Sequence, residues 1–155
     1  MQRLQKFLTV AAYGTVLATL LSIFCWAVVL GAWYVAFSTN PDWGGRLFTL
    51  AYGGFLGVVF SAKLAVWTGA TTGLAAATIT SVFAIPLKQP ENYRRLIQII
   101  CPVVATVCTL LVAEGELGTA DYPIRIITIL IAVFASFLVS RYLASWSIAR
   151  SRAIP

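Results

Sequence analysis

Residues 53–81 read GGFLGVVFSAKLAVWTGATTGLAAATITS, with a small residue at every fourth position: Gly53, Gly57, Ser61, Ala65, Gly69, Gly73, Ala77 and Ser81. The surrounding stretch, 47–87, holds a single charge, Lys63. Inside a bilayer, Leu pressed against another helix gains nothing, because lipid tails are equally apolar. Small residues let two backbones approach until close van der Waals contact favours association. The pattern therefore points to tight helix packing within a membrane. A four-residue step passes a full turn of a 3.6-residue helix by about 40°, so the ridge spirals in the sense of right-handed crossings near −40°. Eight members turn through most of the circumference, and this helix is expected to meet at least two neighbours, in its own bundle or in another subunit. A weaker row, Ala132, Ser136, Ser140 and Ala144, repeats the device, as does a shorter one, Gly14, Ala18 and Ser22.

Composition fixes the class. Sixty per cent of the residues are hydrophobic and ten per cent charged, far from a soluble globular average. Charge-free runs cover 7–41, 64–87, 96–113 and 126–140, against a requirement of about 20 apolar residues per spanning helix. The expectation is an all-α integral membrane protein, a single membrane domain over 1–155 with helices near 6–38, 46–87, 90–114 and 122–149. The first apolar run is too long for a cleaved signal peptide and reads as an uncleaved anchor.

Charge placement orients it. Arg3, Lys6, Lys88, Arg94, Arg95, Arg141, Arg150 and Arg152 share one set of segments with a single acid, Glu91. The linkers 39–46 and 114–125 carry Arg46 and Arg125 against Asp42, Glu114, Glu116 and Asp121. Positive segments stay cytoplasmic, so four crossings with both termini inside satisfy the pattern, whereas splitting 47–87 into two crossings violates it. The net charge of +6 then answers to anionic lipid rather than nucleic acid. An inner-type bacterial or organellar membrane is the expected location.

The second segment is too long for one bilayer. About 40 residues at 1.5 Å each would reach about 60 Å, twice the hydrocarbon core. It is expected to project, tilt, or kink near Trp67, Gly69 and Gly73, with a re-entrant half as the extreme form. Pro86 ends it, Pro90 opens the third helix, Pro102 falls inside that helix, and Pro123 opens the fourth. Trp33, Tyr34, Trp43, Tyr122, Tyr142 and Trp146 are placed as interfacial anchors.

Little in the chain suggests chemistry. Lys63 is the one charge within an apolar segment, a functional suspect on that ground, and points roughly 200° from the ridge. It either snorkels to the interface, meets a lipid or partner, or lines an anion path with the hydroxyls of Thr68, Thr71, Thr72, Thr78 and Thr80. Thr in membrane helices otherwise bonds to its own helix or a neighbour. Cys25, Cys101 and Cys108 lack metal or redox spacing, and buried Cys acts as a small hydrophobe. Histidine is absent and every acid falls in or beside a linker, which argues against His-ligated cofactors, proton-coupled antiport and most general-base enzymes. The expected role is therefore non-enzymatic: a helix-packing accessory, assembly or scaffolding subunit of a larger membrane complex, or a homo-oligomer. The alternatives are a channel or small-solute transporter using Lys63 and Thr68–Thr80, and an oligomeric pore. No cofactor or metal is expected; a lipid or pigment held by packing alone would need no diagnostic residue. The expected partners are membrane lipids and other membrane subunits or further copies of the chain.

Overall fold

Four helices account for nearly all of the described residues: α1 (Gln2–Ala36), α2 (Trp43–Val82), α3 (Pro90–Leu117) and α4 (Tyr122–Arg152). The computed structural model describes residues 2–39, 42–82, 90–117 and 122–152. All four helices are long and apolar enough to cross a membrane. Boundaries follow the punctuation of the sequence: α2 starts directly after Asp42, and α3 starts at Pro90 with Glu91 in its first turn, where neither the missing N–H nor the negative charge is costly. The expected stop at Pro86 lies outside the described residues. α3 and α4 start at the expected positions 90 and 122 and α2 starts three residues before the expected 46, while the expected end of α2 at 87 lies outside the described residues.

α2 is helical without interruption over 40 residues, so no re-entrant half interrupts 43–82. α3 likewise runs through Pro102 as one helix.

The helices alternate in direction. Gly53 of α2 lies against Leu30 and Tyr34 of α1, and Gly73 against Ala11 and Thr15, so α1 and α2 are antiparallel. Thr68 meets Thr109 and Thr80 meets Tyr93, which makes α3 antiparallel to α2. The ring closes α1 to α2, α2 to α3, α3 to α4 and α4 to α1, with α2 and α4 also touching across the diagonal. Small side chains permit that diagonal: Ala132, Ser136, Ser140 and Ala144 of α4 are all buried.

Two apolar clusters fill the interior. Ala76, Tyr93, Ile97, Cys101, Val139 and Leu143 anchor the cluster nearer the termini. Trp26, Leu64, Ala113 and Ile131, one from each helix, form the other.

Candidate functional site: a projecting hairpin on a hydroxyl-linked bundle

The small-residue ridge is occupied within the chain. Seven members, Gly53 through Ala77, are buried, while Ser81 is exposed and bonds to the carbonyl of Thr78. A Cβ placed on Gly57 would stand 2.8 Å from the Trp26 carbonyl oxygen and 2.9 Å from the Ala27 Cα. On Gly69 it would stand 2.6 Å from the Thr15 carbonyl, and on Gly73 2.5 Å from that of Ala11. These contacts extend over 20 residues of α2, about 30 Å of helix. Straight helices crossing once at 40° would part by about 10 Å within 15 Å of the crossing point. The spacing leads to right-handed crossings and a ridge shared by at least two neighbours; from Gly53 to Gly73 the contacts instead form a continuous seam in which α1 follows the ridge. Beyond that seam, α2 also packs on α3 and α4.

A second row escaped the sequence reading, although it too has a period of four: Leu64, Thr68, Thr72, Ala76 and Thr80, all buried. It faces α3 and α4 through three hydroxyl pairs, Thr68–Thr109 at 2.9 Å, Thr72–Ser136 at 2.9 Å and Thr80–Tyr93 at 2.8 Å. Each of these α2 threonines gives its one proton to its own helix, at the carbonyls of Leu64, Thr68 and Ala76. Thr109, Ser136 and Tyr93 must therefore donate, and the α2 oxygens accept. Thr71 and Thr78 point elsewhere and bond back to Trp67 and Leu74. The hydroxyls thus serve as interhelical links.

Lys63 does not join them. It is exposed on the bundle perimeter, whereas Thr68, Thr72 and Thr80 are interior. Its height in the bundle follows from the register. Counting from Thr68–Thr109, position 63 is level with 114 on α3; counting from Thr72–Ser136, it is level with 127 on α4, two residues from Arg125. At the other end stand Arg94, Arg95 and Arg141. The separations 95–114 and 125–141 correspond to about 28 Å and 24 Å of helix, close to the hydrocarbon thickness of about 30 Å.

The same register exposes a projection. Leu117 at the end of α3 is level with position 60 of α2, and Tyr122 at the start of α4 with position 58. α2 begins at Trp43, so it outreaches the α3–α4 pair by about 24 Å, accompanied by the last turns of α1. Burial agrees: within 43–60 only Gly53 and Gly57 are buried, both against α1. The flank left open is aromatic. Phe48, Tyr52, Phe55 and Val59 form a stripe at i, i+4, i+7 and i+11, and all are exposed. Phe48 stacks on Tyr52 at 6.4 Å, which meets Tyr34 of α1 edge-on at 6.1 Å, and Trp33 packs on Phe37 at 4.9 Å. Trp43 is 79 %, Phe48 73 % and Phe37 70 % exposed. The surplus length of α2 was the sequence signal for this projection.

Among the described residues, no group of His, Cys, Asp and Glu is arranged to hold a metal ion, and the three cysteines are free thiols. The arrangement defines a class: a multi-pass helical membrane protein with one extended hairpin. Comparisons with protein-family models, curated proteins and solved structures find no match to this chain.

Proposed function

We propose that this chain is a small, non-enzymatic subunit of a larger membrane assembly, anchored by its four-helix section and joined to its partner through the α1–α2 projection. One observation carries the reading: the exposed stripe that begins at Val59 continues through Phe55, Tyr52 and Phe48 beyond the level at which α3 and α4 end. An exposed apolar patch of this extent marks an interaction surface, and the spacing suits a helix laid along it. Basic termini on the cytoplasmic side of an inner-type membrane put the projection on the opposite face. Accessory, assembly or scaffolding work, or self-assembly into a homo-oligomer, are the forms this takes.

The ridge itself packs α1, so the variants that isolate association are those on the stripe. Native mass spectrometry of the protein, extracted from its own membrane in mild detergent, should show stoichiometric additional subunits or a closed homo-oligomer. Phe55→Glu should abolish that association and leave membrane insertion and helicity unchanged. A wild-type chain that is monomeric throughout would overturn the proposal. The channel and pore readings draw less support, since Lys63 is on the perimeter and the inward threonines are engaged in links between helices.

A further inference from the structure

The α1–α4 seam is the loosest of the four that close the ring. Where glycine draws α1 onto α2, large side chains hold α1 and α4 apart and leave a groove on the bundle surface. Its two depressions, about 200 Å³ and 390 Å³, follow one another along the seam. Leu17, Leu21, Leu138 and Tyr142 border the first, and Phe24, Val28, Leu130 and Phe134 are among those bordering the second. The walls are almost wholly hydrocarbon. From Leu130 to Tyr142 the groove follows about 18 Å of α4, slightly more than the acyl depth of one leaflet, which is about 15 Å.

Its two ends differ. At the end nearer the termini, Tyr13 of α1 stacks on Trp146 of α4 at 6.1 Å and bridges the seam. Arg141 stands there, exposed, three residues from Leu138 and seven from Phe134, hence on the same face of α4. A hydrocarbon trough that ends at an aromatic bridge and an exposed guanidinium matches the chemistry of an anionic phospholipid: acyl chain along the seam, phosphate at Arg141, rings at headgroup depth.

We infer that the α1–α4 groove binds one anionic phospholipid from the leaflet at the basic end of the bundle, with its phosphate held by Arg141. This site is separate from the projecting hairpin and stands or falls independently of the association proposed for it. The test is native mass spectrometry of purified protein titrated with phosphatidylglycerol or phosphatidylcholine of matched acyl chains. Wild-type protein should retain a single phosphatidylglycerol about fivefold more readily than phosphatidylcholine, the factor given by about 1 kcal/mol for one basic side chain at a membrane surface. Arg141→Gln should remove the preference, and Val28→Trp should reduce retention of both lipids, with helicity and melting temperature unchanged in each variant. Equal retention of the two lipids by wild-type protein would overturn the inference, as would an Arg141→Gln variant that keeps the preference. A Val28→Trp variant that retains lipid but loses an oligomer would overturn it too, by seating a protein helix in the groove.

Discussion

Gly57 lies so close to Trp26 that a methyl group in place of its hydrogen would stand 2.8 Å from the Trp26 carbonyl oxygen. That oxygen belongs to the α1 backbone and cannot swing aside as a side-chain end would. Gly54, one position round the helix from the ridge, has only the Ala27 carbonyl at 3.5 Å, an ordinary contact. Gly57→Ala should therefore destabilise the α1–α2 seam by about 1–3 kcal/mol, the usual cost of overpacking. Gly54→Ala should stay within about 0.5 kcal/mol of the parent. Unfolding of both variants in the same detergent, followed by helicity, makes the comparison. Equal effects would mean that the seam is looser than the contacts at Gly57 require.

Ser61 occupies the ridge between Gly57 and Ala65, and its hydroxyl is buried without a hydrogen-bond partner. A buried polar group left unsatisfied costs about 1–3 kcal/mol. Ser61→Ala keeps the small volume the seam needs and removes that group, so it should raise stability by up to about 1 kcal/mol. A loss of stability in the same unfolding assay would show that the hydroxyl is bonded after all.

The hydroxyl pair Thr72–Ser136 joins α2 to α4 across the diagonal of the bundle. Because Thr72 gives its proton to the Thr68 carbonyl, Ser136 is the donor. Thr72→Val removes the acceptor at nearly constant shape, and Ser136→Ala removes the donor. A double-mutant cycle should return a coupling of about 0.6 kcal/mol, the average for interhelical hydrogen bonds in membranes, and no more than about 1.7 kcal/mol. Additive single-mutant effects would mean that the two hydroxyls do not bond.

The four helices and their apolar character were legible because charge-free runs and punctuating prolines are properties of single segments. So was the close-packing ridge, whose period of four is written into one helix. The identity of its partner was not, because Gly53 to Ala77 would look the same whether they met α1 or another subunit. The hydroxyls at Thr68, Thr72 and Thr80 were visible as a cluster, yet only the positions of Thr109, Ser136 and Tyr93 turn them into links. Ser81 extends the spacing in sequence but is exposed, although Thr80 beside it is buried. The aromatic stripe from Phe48 to Val59 was hidden for a related reason. In sequence it resembles any lipid-facing helix, and only the shorter reach of α3 and α4 shows that it extends past them.

The level of Lys63 separates the possible readings of that residue. Inside one apolar stretch it looks like a charge at mid-membrane, where Lys costs about 2.5–3.5 kcal/mol on insertion scales. The register with α3 and α4 instead places it level with position 114 and near Arg125, at the end of the bundle remote from Arg94 and Arg141. With the charged levels at the two bilayer faces, a side chain there would reach headgroup and water without crossing hydrocarbon. Lys63→Cys in sealed vesicles should then react with a membrane-impermeant maleimide from the same side as Trp43→Cys, and from the opposite side to Arg94→Cys. Val103→Cys, exposed on the flank of α3 midway between the charged levels, should react from neither side. Were Lys63→Cys as protected as Val103→Cys, the bilayer would have to cover the projection, and the aromatic stripe would be facing lipid instead of a partner. Reaction from the Arg94 side would contradict the register that sets Lys63 and Arg94 at opposite ends of the bundle.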